Sequence, residues 1–422
     1  MAALPTFTGP VRTDILTLPW STPLEEWPED VLVALPRGIS RHVVRFVQMG
    51  DEIAAVKETT VEMANREFAM LRDLRKRDVP TVKPIAVVTD RVDENGNPLP
   101  AALVTKHLRF SMPYRAVFSQ TLRPDTATRF VDAMAVLLVR LHLTGFYWGD
   151  VSLSNVLFRR DAGSFAAYLV DAETGELIEG DLSPGHRAND IEVARVNIAG
   201  ELLDLQAGGR LDASIDPIEQ ANKFVASYEK LWAELTSWQT IESTDTWRIA
   251  ERIENLNEMG FDIEEISLRT DTPGSTVRVR PKVVDAGHHA RRLIRLTGID
   301  AEENQARRLL NAIDEFAARK SNGQGFDEER LAHEWLLTEF EPIIELCPED
   351  LRGKLDPPQI FHEILEHKWY LAKARGADVS LREAADLYYG DVLSHRRDEE
   401  VIVSPPTVTI SLPVITDWRD LV

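Results

Sequence analysis

Between Leu141 and Phe158 an apolar run ends at Thr144-Gly145, and Trp148-Gly149-Asp150-Val151-Ser152-Leu153-Ser154-Asn155 leads into the short apolar stretch Val156-Leu157-Phe158. The pattern is a helix end, a turn, an Asp, an Asn five residues later and then a strand. A second Asp, Asp171, closes the next strand, Ala167–Val170. The set suits phosphoryl transfer. One carboxylate, Asp150, faces the nucleophile, while the amide oxygen of Asn155 and the carboxylate of Asp171 hold Mg²⁺ against a nucleoside triphosphate.

An Asp-x4-Asn arises by chance in many chains, so its place in the order of elements carries the weight. Val43–Val47 and Ile53–Lys57 read as strands flanking a Met-Gly-Asp turn. Residues 61–77 read as a helix whose buried arc holds Val61, Ala64, Phe68, Leu71 and Leu74, with Glu67 on the same arc. Two further strands, Ile85–Thr89 and Ala101–Thr105, are joined through Asn95-Gly96, a hairpin signal. A helix is expected from Asp125 to Leu143, with Phe130, Met134, Leu137, Leu138 and Leu141 on one face. A hairpin turning at Asp161-Ala162-Gly163 then precedes Asp171. Lys57 can neutralise the α- and β-phosphates only if its long side chain is held. A carboxylate on the next helix, Glu67, supplies that restraint.

The chain as a whole sets limits on function. Its 422 residues allow roughly two or three domains, and 44% hydrophobic content supports full cores. With 48 basic and 69 acidic residues the formal charge is -21, which repels nucleic acid and anionic membranes. One cysteine, Cys347, excludes an intramolecular disulfide and a multi-thiolate metal site. The N-terminus lacks the basic and apolar regions of a signal peptide, and no apolar run approaches the ~20 residues of a spanning helix. A soluble, cytoplasmic protein is expected. Residues 1–35, rich in proline and carrying Trp20 and Trp27, read as an extended arm packed on the body. Gly208-Gly209 marks the expected boundary, after a helix from Asp190 to about Leu205. Helices at about 216–236 and 244–258, strands Ile263–Leu268 and Thr276–Val284, and a helical remainder to about 395 follow.

On these residues, the stretch from about 38 to 205 resembles the protein-kinase-like fold in its compact small-molecule and lipopolysaccharide-kinase-like form. Ala54-Ala55-Val56-Lys57 resembles the nucleotide-binding lysine strand, and Arg66-Glu67-Phe68 the helix with the partner glutamate. Trp148-Gly149-Asp150 through Asn155 resembles the catalytic loop, and Asp171-Ala172-Glu173 the metal-binding Asp-x-Glu of aminoglycoside- and choline-kinase relatives. The glycine-rich loop of that fold is reduced to Gly38-Ile39-Ser40-Arg41, where Ser40 and Arg41 would meet phosphate by hydroxyl and guanidinium. Trp148 replaces a histidine, and Ala172-Glu173 lacks the glycine of a regulated activation segment.

The resemblance implies an α+β chain. It comprises a kinase-like domain at 36–207, with a small lobe to about 107 and a helical lobe after it, a mostly helical C-terminal domain of unknown function at 208–396, and a tail at 397–422. It implies a bacterial phosphotransferase that uses ATP and Mg²⁺. Asp150 would be catalytic, Asn155, Asp171 and Glu173 would bind metal, and Lys106, His107 and Leu108 would offer backbone groups to the purine. The acceptor is unidentified, with a small molecule, sugar or lipid favoured over protein. The alternative is a nucleotide-binding pseudokinase or scaffold with a C-terminal interaction domain.

Three other signals stand outside that set. Residues 278–320 carry ten basic residues against six acidic, including Arg291, Arg292, Arg295, Arg307 and Arg308. An intramolecular contact with the acidic body of the same chain is the plain reading, and an anionic ligand or substrate site the alternative. His362 and His367 are five apart, whereas a zinc-binding helix needs four, so this segment reads as a solvated or locally hydrogen-bonded helix. Asp190 is by default an N-cap, and otherwise a buried acceptor for the catalytic-loop backbone.

Overall fold

The computed structural model describes residues 5–10, 12–33, 35, 42–50, 52–119, 124–237, 239–242, 261–262, 265–270, 276–282, 285–321, 327–396 and 399. They fall into two compact units. The described residues up to Phe158, with Ala167–Val225, form the first, and Arg159–Ala166, with the described residues from Ala226 onward, form the second.

The first unit opens with an antiparallel sheet of β1 (Thr6–Thr8), β2 (Val44–Met49), β3 (Glu52–Thr59), β4 (Lys83–Thr89) and β5 (Ala101–Lys106), in the order β1-β4-β5-β3-β2. The β2–β3 turn takes Gly50 to φ +60°, a conformation glycine adopts without steric cost. The expected tryptophan-bearing arm does pack on the sheet. Trp20 and Trp27 are buried edge to face at 5.2 Å, in one cluster with Ala54 and Val56 of β3 and Val104 of β5. Arg91, with no exposed side-chain surface, fastens this arm. It pairs with Glu58 at 2.7 Å and donates to the carbonyls of Trp20 and Thr22 at 3.0 and 2.7 Å.

Successive strand residues point to opposite faces. Because Ala54 and Val56 face the arm, Lys57 points to the other side of the sheet. There α2 (Val61–Lys76) packs on β4 and β5, with Thr60 capping its start and Ala64, Glu67, Phe68, Leu71 and Leu74 buried. Val61 departs from the expected arc and is exposed, because it is the first helical residue with no preceding turn to carry it inward.

The helical part of this unit is built on α4 (Pro124–Leu143), whose expected apolar face is buried throughout. A short strand, β7 (Phe146–Tyr147), follows, then a 3-10 turn at Leu153–Asn155 and the hairpin of β8 (Val156–Asp161) and β9 (Ser164–Leu169). Ala162 and Gly163 take positive φ at the hairpin turn. Leu169 bonds back through its N–H to Pro80 and its carbonyl to Val82, so the segment ahead of Asp171 is pinned to the end of the α2–β4 connection. Helix α5 (Pro184–Ala207) begins six residues before Asp190 with Ser183 as its N-cap. The default N-cap reading of Asp190 is therefore wrong. Pro184 at the first helical position and Ser183 before it are the true start signals.

In the second unit the expected strand pair forms as β13 (Glu265–Thr270) against β14 (Thr276–Lys282), with β11 (Gln239–Glu242) on the other side of β14. The helix expected at 244–258 and, apart from Glu399, the tail expected at 397–422 lie outside the described residues. The remainder is helical, with α7 (His288–Thr297), α8 (Glu303–Ser321), α9 (Glu328–Trp335), α10 (Glu341–Glu345), α11 (Pro357–Arg375) and α12 (Leu381–Asp391). Trp335, Phe340, Phe361 and Tyr388 centre its core.

His362 and His367 are buried within α11, so the solvated reading of that segment fails. Glu363 between them accepts from Gln359, the Tyr388 hydroxyl and Arg396 at 2.7–2.9 Å, a buried polar knot in place of a metal site. Asp161 accepts the Gln305 N–H at 2.8 Å near the start of α8, and burial together with Glu302 pushes its carboxyl up to about 7. Of the arginine group, Arg292 pairs with Glu328 at 2.5 Å, while Arg291 and Arg295 stand exposed.

Candidate active site

Three elements bring the charged centre together. Lys57, from β3, places its Nζ 3.0 Å from Glu67 Oε2 on α2, 2.7 Å from Asp171 Oδ2 and 3.0 Å from Glu173 Oε2 just after β9. Burial alone would lower the Lys57 ammonium, but Glu67, Asp171 and Glu173 outweigh it and hold Lys57 charged well above the ordinary lysine range. Glu67 is almost wholly buried, and burial with the repulsion of Asp171 pushes it up to about 7 despite Lys57. Glu173 goes the other way. Its burial is outweighed by Lys57 and by His42, whose Nε2 lies 3.1 Å away, and its carboxyl stays below the usual range.

The loop that carries Asp150 is held by α5. Asp190, fully buried, accepts the N–H groups of Trp148 and Gly149 at 2.9 and 2.8 Å and pairs with His142 Nε2 at 3.0 Å. Burial outweighs that pairing and keeps the His142 imidazole below its ordinary range. Asn197 donates to the Val151 carbonyl at 3.0 Å. Glu201 accepts the N–H groups of Leu153 and Ser154 at 2.8 and 2.9 Å, and also the Ser154 hydroxyl. Asn155 donates to the Asp150 carbonyl at 3.1 Å, and its own carbonyl accepts the Val170 N–H at 3.0 Å. That last bond joins the Asn155 backbone to the residue before Asp171. Gly149 at φ +77° makes the turn into Asp150.

The other expected site residues fare differently. The Lys106 side chain is tied to Glu52 at 2.6 Å. The His107 N–H is donated to Ile53 and the Leu108 carbonyl accepts from Ser111, which commits two of the backbone groups expected to meet a purine. Ser40 and Arg41 lie outside the described residues. His42, Asn197 and Glu201 also belong to the site, although no motif marks them. The signal for the α5 residues was present, since Asp190, Ala194, Asn197 and Glu201 recur at the 3.6-residue period of one helix face.

Among the described residues, Glu67, Asp171 and Glu173 place one oxygen each within 4.8 Å of one another. All three donors are hard carboxylate oxygens. That donor set fits Mg²⁺.

Residues 54–189 match the family described as lipopolysaccharide kinase (Kdo/WaaP). This segment is similar to the Kdo/WaaP kinases. Residues 230–393 match a domain of unknown function, DUF4032. The expected pairing of a lipopolysaccharide-kinase-like module with an uncharacterised C-terminal domain is thus borne out. The fold is α+β and kinase-like, followed by a mostly helical C-terminal region. Among solved structures, one described as WaaP in complex with acyl carrier protein is 15% identical, covering 55% of this chain and 90% of that one at a TM-score of 0.34. No curated protein matches. No helix among the described residues is long and apolar enough to cross a membrane.

Proposed function

We propose that the chain is an ATP- and Mg²⁺-dependent phosphotransferase whose acceptor is a small molecule, sugar or lipid. The observation that carries this reading is Lys57, held by carboxylates from α2 and from the segment after β9 in the Kdo/WaaP-like part of the chain. A lysine clasped this way has no freedom to wander and presents one fixed charge to the phosphates of a nucleotide. Bound Mg²⁺ would neutralise charge on the transferring phosphoryl group, with Asn155, Asp171 and Glu173 as its protein ligands. Asp150 accepts the acceptor's hydroxyl proton at its carboxylate. Asp190 keeps the Trp148–Gly149 turn in the shape that presents Asp150. Glu67 orients Lys57 and touches neither substrate.

The test is Mg²⁺-dependent ATP turnover across a panel of sugar, lipid and small-metabolite acceptors. Asp150→Asn and Asp171→Ala should each abolish turnover while the protein stays folded. Nucleotide binding with no turnover on any acceptor would instead favour the pseudokinase. Undiminished turnover in Asp150→Asn would remove Asp150 from the reaction.

A further inference from the structure

Helix α5 meets the Asp150 loop through side chains at 190, 197 and 201. Those spacings of seven and four residues return to one face of an α-helix, with Ala194 filling the gap between them. Eleven residues of helix span roughly 16 Å, enough to grip the loop from Trp148 to Ser154 along its length. The three grips differ in kind. Asp190 takes the two N–H groups at the loop's start, Asn197 takes a carbonyl in its middle, and Glu201 takes two N–H groups and a hydroxyl at its end.

The end held by Glu201 is the 3-10 turn Leu153–Asn155, whose first N–H groups have no partner within so short a turn. Glu201 supplies both acceptors from 47 and 48 residues away. A carboxylate is the right group, because its two oxygens accept two parallel N–H bonds and still leave capacity for the Ser154 hydroxyl. The third residue of that turn is Asn155. Its side-chain direction depends on the turn's φ and ψ, which Glu201 fixes from one end and the Val170 N–H from the other.

We infer that Glu201 is a positioning residue that sets the Asn155 amide for metal binding, acting through the backbone of Leu153 and Ser154. This rests on the phosphotransferase reading above and adds to it a residue outside the expected kinase set. Partners behind a metal ligand typically change metal affinity by 10- to 100-fold when altered.

The test uses the full chain with a non-hydrolysable ATP analogue. Mn²⁺ binding is followed by electron paramagnetic resonance, and Mg²⁺ by its competition. Glu201→Gln keeps the side-chain volume but turns an amide NH₂ towards a backbone N–H. It should weaken Mn²⁺ by about 10-fold and leave metal-free nucleotide affinity unchanged. In an Asn155→Ala background the same change should have no further effect on the metal. A merely structural Glu201 would lower the melting temperature and add independently to Asn155→Ala. Ser154→Ala, which removes only the hydroxyl contact, should show a smaller loss in the same direction and serves if Glu201→Gln fails to fold. Wild-type binding with unchanged Mn²⁺ affinity in the variant, or full additivity with Asn155→Ala, overturns the positioning role alone. A wild-type chain that binds no Mn²⁺ with nucleotide removes the phosphotransferase reading and this role together.

Discussion

Lys57→Met is the sharpest perturbation of the charged centre, because it removes one cation and little volume. Lys57 Nζ sits within 3.0 Å of three carboxylates, whose nearest oxygens lie within 4.8 Å of one another. At an effective dielectric near 20, each pair of unit charges at that range repels by about 3–4 kcal/mol. The three repulsions will not all be tolerated. Glu67, already pushed up to about 7, is the group that takes a proton. Protonation of Glu67 removes two of the three repulsions, and the net loss should fall in the range of about 3–5 kcal/mol for a buried pair that loses one partner. An acid whose folded pKa is raised binds a proton on folding, so its stability contribution shrinks as pH rises through the raised value. The deficit of Lys57→Met should therefore be smaller at pH 6 than at pH 8. Mg²⁺ should raise the variant's own stability, by about 2.7 kcal/mol at 100 times its dissociation constant. Urea unfolding at pH 6 and pH 8, with and without Mg²⁺, reads all of this. A variant as stable as wild type at pH 8 without divalent cation would falsify the account of the centre.

Asp190→Ala leaves His142 and two backbone N–H groups without their buried acceptor, and should cost about 3 kcal/mol in urea unfolding; a loss under ~1 kcal/mol means water or another group replaces it. Asp161 holds its proton to about pH 7 when folded and only to about 4 when unfolded. Its contribution to stability is therefore present at low pH and lost as pH rises from about 4 to about 7. Asp161→Asn should flatten that slope in urea midpoints taken across the range, and an unchanged slope would place the proton elsewhere. Arg91→Met strands Glu58 and frees the carbonyls of Trp20 and Thr22. It should destabilise by about 3–5 kcal/mol and make the segment before residue 30 sensitive to limited proteolysis; unchanged protease resistance would show that the tryptophan cluster alone holds the arm.

Much of this chain could be read from local pattern. The apolar face of α4, the β2–β3 pair, the hairpin at Asp161-Ala162-Gly163 and the inward projection of Glu67 follow from periods of 3.6 and 2 and from turn chemistry, which act over a few residues. The order of Lys57, Glu67, Asp150, Asn155 and Asp171 was legible for the same reason, since each sits at a defined place on its element. What local pattern could not decide is which polar groups meet across long separations. Glu201 and Ser154 lie 47 residues apart, Arg91 and Trp20 lie 71 apart, and Lys57 and Glu173 lie 116 apart. Charge and hydrogen-bonding capacity in a sequence say that partners are needed, not where they are. Asp190 makes the point. By local rules it resembled a helix start, but Ser183-Pro184 begins α5 earlier and leaves Asp190 inside the helix, facing the loop. The burial of its carboxylate is offset by two N–H groups and an imidazole that converge on it, and that convergence is a property of the packed chain alone.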